Sequence, residues 1–431
     1  MQLAKIPFVL YWAFSLIITV KGEAQLPDHI YRSNIRSVKL FKNGDQTAYP
    51  VLQLGTSEQL ELHFDDLEAD IKNYYYTFQL CQADWTPANV QPFDYLRGFI
   101  SNRIFTYRPS SLVQTRYTHY QTFLPERNSG PTKGGNYLLK VYLNDDTTRL
   151  AFTRRVLVVN KRVNVSGLVQ QPFNGNLFQT HQRVQVGVTP LNMPMNAFSP
   201  RDIRVVILQN DRWNTAKTID RPTLFQGNYY EYNEEEISNF PAGQEWRWID
   251  LRSFRLRSER VKQIVDSDTS TRTDVFINPD SERGKQLYLY YRDINGHWLQ
   301  ENRDNPNPFL QGEYAWVHFT FIPPGRQPYQ GREIFVYGEL TGYELKEENR
   351  MVFDIEQGVY TKALFLKQGF YNYAYLNLNS VRKGEEPSLE NTEGNYWGTE
   401  NQYTVLVYFR PFGARADELI GQTTLRSAFQ R

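Results

Sequence analysis

The sequence predicts an all-β protein made of tandem immunoglobulin-like, early-set β-sandwich domains. Short runs that alternate apolar and polar residues recur along the chain, and helical periodicity is scarce. Aromatic residues make up 15% of it, with 29 Tyr and 27 Phe, and flat side chains of this kind pack well on a pleated surface. Gly, Pro and Asn separate the runs at a spacing of about ten residues, as in β-sandwiches.

The runs, in order, include Gln59-Leu-Glu-Leu-His-Phe64, Tyr74-Tyr-Tyr-Thr-Phe-Gln-Leu-Cys81, Asn136-Tyr-Leu-Leu-Lys-Val-Tyr142 and Arg183-Val-Gln-Val-Gly-Val188. Ile203-Arg-Val-Val-Ile-Leu208, Tyr314-Ala-Trp-Val-His-Phe-Thr-Phe321 and Tyr403-Thr-Val-Leu-Val-Tyr-Phe409 follow. A length of 431 residues is too great for one ordinary core, and 40% hydrophobic residues can fill several. Three consecutive blocks are expected. Residues 25–160 form an N-terminal sandwich with a long excursion over 84–120, residues 161–268 a second sandwich, and residues 269–431 a C-terminal, early-set-like one. The polar stretch Asp266–Thr273 reads as the linker between the last two.

Residues 1–24 read as a signal peptide. Lys5 supplies a positive start, Ile6–Val20 is almost continuously apolar, and Gly22-Glu23-Ala24 is a small-x-small cleavage site. The apolar run is short of a bilayer span, and no cysteine lies near the cleavage site to carry a lipid. The expectation is an exported periplasmic protein with no membrane span of its own.

Setting the leader aside, with its Lys5, Lys21 and Glu23, leaves equal numbers of basic and acidic residues. Nucleic-acid binding needs a basic surplus or stripe, so nucleic acid is not an expected partner. Arg154-Arg155 and the arginines between Arg252 and Arg260 read as solvated strand faces. The single cysteine, Cys81, excludes an intramolecular disulfide and reads as a buried, inert thiol.

No catalytic constellation has the required spacing, and no cofactor or metal is expected. The six histidines are scattered, with none three to five residues from another. Asp293-Ile-Asn-Gly296 begins like a calcium loop, but His297 and Asp304 stand where a third oxygen ligand and a bidentate Glu are needed. The same residues read better as an Asn-Gly hairpin turn between Leu287–Tyr291 and His297–Leu299. Trp246-Arg-Trp248 reads as a core pair of indoles with Arg247 facing outward.

The excursion departs most from simple alternation. It is rich in aromatics and Arg, with one short helix expected near Asp94–Phe99, and long irregular segments of this kind usually have a task. Its words, Ala83-Asp84-Trp85-Thr-Pro87, Asp94-Tyr95-Leu96-Arg97-Gly98-Phe99 and Tyr117-Thr-His119-Tyr120, together with Tyr76–Cys81 and Gly135-Asn-Tyr137, resemble the opening domain of the type IX secretion plug family. The resemblance covers roughly 110 residues.

It implies a non-enzymatic protein, monomeric within its complex, that closes the periplasmic mouth of a giant outer-membrane β-barrel translocon when no cargo occupies it. Asp84, Trp85, Tyr95, Arg97, Gly98, Tyr117, His119 and Tyr120 are then candidates for docking that partner, or for pinning the excursion to its own sandwich. The rhythm of Ile334–Glu339, Gly358-Val-Tyr360, Leu366–Tyr373 and Glu400–Tyr403 is similar to glycogen-binding-type early-set sandwiches. The alternative function is therefore a secreted carbohydrate-binding array, although the paired tryptophans of that family are missing here.

Overall fold

The structure, a computed structural model, describes residues 25–42, 44–191, 199, 202–266, 272–382 and 385–427. The leader expected at 1–24 lies outside the described residues. Strands dominate, and among the described residues the single α-helical turn is Glu235–Ser238. Around Asp94 the excursion forms only a 3₁₀ turn, Pro92–Asp94.

The N-terminal sandwich faces two sheets against each other. One runs Ile35–Lys42, Leu60–Asp66, Thr118–Leu124, Thr106–Pro109. The other runs Val51–Gln53, Leu150–Val159, Gly135–Leu143, Tyr74–Cys81, Asn102–Arg103. Side chains alternate between the two faces of a strand. Leu60, Leu62 and Phe64 therefore meet Tyr74, Tyr76, Phe78, Tyr137 and Leu139 in one core. Strands Asn102–Arg103 and Thr106–Pro109 both belong to the excursion and occupy the outer edges of the two sheets. The excursion thus caps edges that would otherwise be open to pairing.

The next two cores are not consecutive in sequence. Strands Gln402–Phe409 and Glu418–Arg426 extend the sheet of Ile203–Gln209 and Arg212–Ile219. Tyr403, Val405 and Val407 accordingly share a core with Val184, Val186 and Val205. Arg247–Asp250 and Val261–Asp266 lie in the sheets of the last sandwich, and Ile249, Leu251 and Val261 join its core. The C-terminal sandwich is therefore inserted between strands of the middle one, and the expected division at residue 268 does not describe how the cores assemble. Val261–Asp266 pairs with Thr273–Ile277, so the ends of the polar stretch read as a linker, Asp266 and Thr273, are paired in one sheet, and residues 267–271 between them lie outside the described residues. Local composition cannot tell a link between domains from a connection between paired strands, because both are polar for the same reason, exposure to water.

Two further expectations change. Asn295 and Gly296 both have positive φ, as the turn requires, but Leu287–Tyr291 is not a strand. Trp298–Leu299 pairs instead with Phe370–Asn379, while Tyr288 and Tyr291 direct their hydroxyls to Glu245. Arg247 faces inward, not outward: its guanidinium binds Glu393 at 2.9 Å and Asp280 at 2.7 Å, both buried. Paired carboxylates make that burial tolerable. Cys81 is buried as expected, and burial pushes its thiol up to about 11.

Candidate functional site

The three sandwiches meet through side chains that leave the outer faces of the N-terminal one. Its four-stranded sheet pairs Asp65 with His119 across neighbouring strands. The C-terminal sandwich pairs Tyr314 with Lys367 in the same way. The two pairs meet face to face. Asp65 Oδ2 accepts hydrogen bonds from Lys367 Nζ and from Tyr314 Oη, each at 2.6 Å, and Oδ1 accepts one from His119 Nδ1 at 2.7 Å. His119 Nε2 is left to accept from His63 Nδ1 at 3.1 Å.

Lys367 Nζ also donates to Phe309 O at 2.8 Å and sits 4.0 Å above the Tyr117 ring. Tyr117 donates its hydroxyl to Phe309 O and Gly312 O. Asp65, His119, Tyr117 and Lys367 are all buried. Burial pulls the Asp65 carboxyl up, but Lys367 and His119 hold it below the usual carboxylate range. Burial, then the neighbouring His119, drives His63 down to about 3, so it is neutral.

A second junction joins all three sandwiches. A bulge between Arg36 and Lys39, with Ser37 at φ 50°, re-aims the strand. Lys39 is buried and donates to both oxygens of Glu339 at 2.8 Å. His297 lies between Glu339, at 3.4 Å, and Asp211, at 3.6 Å. Asp211 is delivered by the two-residue turn Asn210-Asp211, both at positive φ, and accepts from Thr404 Oγ1 at 2.7 Å. Burial lowers the affinity of His297 for a proton, but Asp211 and Glu339 outweigh it and raise its pKa to about 9. Burial likewise opposes ionisation of Glu339, and Lys39 with His297 brings it to about 2.

A third junction is mostly apolar. Cys81, Ala83, Trp85, Leu138 and Leu157 pack on Leu208, Leu406 and Tyr408 of the middle sandwich. Asp84 Oδ1 accepts from both the backbone and the hydroxyl of Thr86, closing a turn that holds Trp85 at φ 69°. Trp85 meets Trp213 edge-on, 4.9 Å between centroids. The Arg155 guanidinium stacks 4.9 Å from Trp85 and pairs with Asp28. The Arg154-Arg155 stretch, expected to be solvated, is half-buried at this junction.

The eight residues singled out in the sequence therefore occupy different places. Trp85, Tyr117 and His119 fasten sandwiches together. Tyr95 and Tyr120 lie in the N-terminal core, where Tyr120 stacks on Phe64 at 5.1 Å. Gly98 has φ 79°, and a Cβ there would meet Asn128 O at 2.2 Å, so it serves the turn. Asp84, Arg97 and Gly98 are exposed. Sequence reading passed over Phe93, Phe99, Phe105 and Leu112, which the excursion presents to solvent at 70–80% exposure. Their only signal was position: each sits beside Pro, Gly or Ser, or between two very short strands, outside any alternating run. The His63–His119 pair was equally hidden, because strand pairing and not sequence spacing joins them.

Fold and junctions define a three-lobed β-sandwich protein whose lobes are fastened by buried charge and by stacked aromatics. The family model described as "Type 9 secretion system plug protein 1st domain" matches residues 35–160. Among solved structures, the crystal structure of a hypothetical protein from Parabacteroides merdae ATCC 43184 is similar at 31% identity and a TM-score of 0.87, covering 93% of this chain and 99% of that one. No curated protein matches. Residues 35–160 thus match the first domain of the type IX secretion system plug family, a family of secretion-system components. No described helix is long and apolar enough to cross a membrane.

Proposed function

We propose that this protein is exported to the periplasm, docks on the periplasmic mouth of the outer-membrane β-barrel translocon of the type IX pathway, and closes it when cargo is absent. One observation carries the reading. The segment at the heart of the family match exposes Phe93, Phe99, Phe105 and Leu112 while, further along it, Tyr117 hydrogen-bonds to the C-terminal sandwich and His119 packs on its Phe309. Large exposed apolar side chains clustered in one segment mark interaction surfaces. A specific seal buries at least ~1,200 Å² and is anchored by aromatics and arginine, and Arg97 lies in the same segment. The junctions supply what a stopper requires, since apolar packing holds the lobes together and buried ion pairs fix them in one arrangement.

The test is a pull-down of the tagged chain from gently solubilised outer membranes, read by mass spectrometry. Near-stoichiometric recovery of one very large β-barrel, lost in the Phe93→Ser/Phe99→Ser/Phe105→Ser variant, is expected. Full recovery with that variant moves the docking face elsewhere. Absence of any barrel, together with retention on a glycan column, overturns the reading in favour of a carbohydrate-binding array.

A further inference from the structure

A groove of about 1230 Å³ lies between the middle and C-terminal sandwiches, larger than the usual small-molecule site. Phe173, Lys217 and Phe240 line it from the middle sandwich, and Leu345, Leu376 and Leu389 from the C-terminal one. Asn214 Nδ2 donates to Tyr337 Oη at 2.7 Å across it. One wall is the edge of a sheet. Arg212–Ile219 is the last strand of its sheet and pairs with Ile203–Gln209 alone. Its register jumps: Arg212 faces Gln209 and Lys217 faces Ile207, so Trp213–Ala216 stand opposite the single residue Leu208. A ladder cannot engage all the backbone groups of such a bulge. The consecutive residues Asn214–Lys217 all line the groove. Side chains on a strand alternate between its two faces, so a consecutive run means that the strand turns its edge towards the space.

Two polar atoms of the lining lack partners. Asn239 is only 7% exposed, and its Oδ1 accepts no hydrogen bond. Thr215 Oγ1, itself removed from water, has none either. A buried amide oxygen without a donor is costly, and a bound N–H would satisfy it. The groove is also acidic. Glu235, Glu236, Glu386 and Glu390 line it against two cations, Arg212 and Lys217. Burial, then the neighbouring Lys217, lowers the proton affinity of His181, which is neutral at pH 7. Neither cation answers the glutamates. Arg212 donates to the side-chain and backbone oxygens of Gln209, and Lys217 lies 5.7 Å from the centre of the Phe240 ring. Glu235 accepts from the Asn174 backbone at 2.8 Å, and among the described residues none of the four glutamates has a basic partner within ion-pair reach.

We propose that this groove holds an extended segment of a partner protein, one that alternates Lys or Arg with apolar side chains. Its backbone bonds to the bulged edge at Trp213–Ala216 and to the Asn239 amide, its apolar side chains pack on Phe240, Leu376 and Leu389, and its cations face the four glutamates. Main-chain pairing along the edge supplies affinity, and the charge of the lining supplies the choice of partner. The inference concerns the middle and C-terminal sandwiches, beyond the family match at 35–160, and it stands whether or not the protein closes a pore.

The test uses the full-length exported chain and a fluorescent eight-residue peptide that alternates lysine and leucine, with the glutamate-for-lysine peptide as the control. Binding is read by fluorescence anisotropy, and its place by backbone hydrogen exchange. The basic peptide is expected to bind saturably, about tenfold or more tightly than the acidic one, and to slow exchange at Asn214–Lys217. The combined variant Glu235→Gln/Glu236→Gln/Glu386→Gln/Glu390→Gln should lose most of that preference. No saturable binding, equal binding of the two peptides, or unchanged exchange at Asn214–Lys217 overturns the assignment, and each is read on the wild-type protein regardless of how the variant folds. Spermine that displaces the peptide with equal affinity shows a site that reads charge alone and overturns it as well. An undiminished preference in the four-Gln variant does the same.

Discussion

The N-terminal sandwich uses opposite chemistry on its two outer faces. Its four-stranded sheet meets the C-terminal sandwich through Asp65, His63, His119 and Lys39, charged or polar groups removed from water. Its five-stranded sheet meets the middle sandwich through Cys81, Leu138, Leu157 and Trp85. An apolar junction gains from burial alone and accepts many alternative packings. A buried ionic junction gains little net energy over an apolar one, but it penalises every arrangement in which a charge loses its partner. The first kind supplies cohesion and the second supplies register. A protein whose lobes must hold one arrangement has use for both.

The comparison can be broken most forcefully at Lys367. Replacing it with Met leaves the Asp65 carboxylate buried without its cation, hydrogen-bonded only by His119 and Tyr314, an expected loss of about 3–5 kcal/mol in urea unfolding. Adding Asp65→Leu to the same chain should restore much of that loss, and failure to restore it would show that the ionic junction contributes cohesion after all. On the apolar face, Leu406→Ala should cost about 2–5 kcal/mol through the cavity it opens. That cost should not change with pH, since no titrating group is involved.

The ionic side should depend on pH in a definite direction. The folded pKa of His297 is raised, so its contribution is complete below about 6.5 and is lost as pH rises through about 9. The shift corresponds to roughly 3 kcal/mol at most. The folded pKa of His63 is depressed, so stability falls as pH drops below about 6.5 towards about 3. Unfolding midpoints measured from pH 5 to pH 9 should peak near the middle, and His297→Gln should flatten the alkaline arm alone. The smallest effect on stability is expected at the exposed excursion. Phe99→Ser should shift the folding free energy by no more than about 0.5 kcal/mol, the usual range for surface positions, and a larger loss would make Phe99 part of the fold.

The sequence by itself determined the class of the protein. Period-two alternation, aromatic strands and closely spaced turns specify sandwiches because each strand must bury one face, and that requirement is local. The buried thiol, the Asn-Gly turn at Asn295-Gly296 and the distinctive words of the excursion were legible for the same reason. Each depends on a few neighbouring residues.

Tertiary structure decided the rest. Gln402–Phe409 looks like any other strand, and only its pairing with Ile203–Gln209 shows that it returns to the middle sandwich. Arg247 and Lys367 have the composition of solvated residues, but carboxylates about 150 and 300 positions away hold them inside. Arg154 and Arg155 are adjacent in sequence, and only the fold of their own sandwich gives Asp28 to Arg155 while Arg154 faces the space where the three lobes meet. Whether a charge is inside or outside depends on which partner the fold brings within about 3 Å, and no local pattern records that distance.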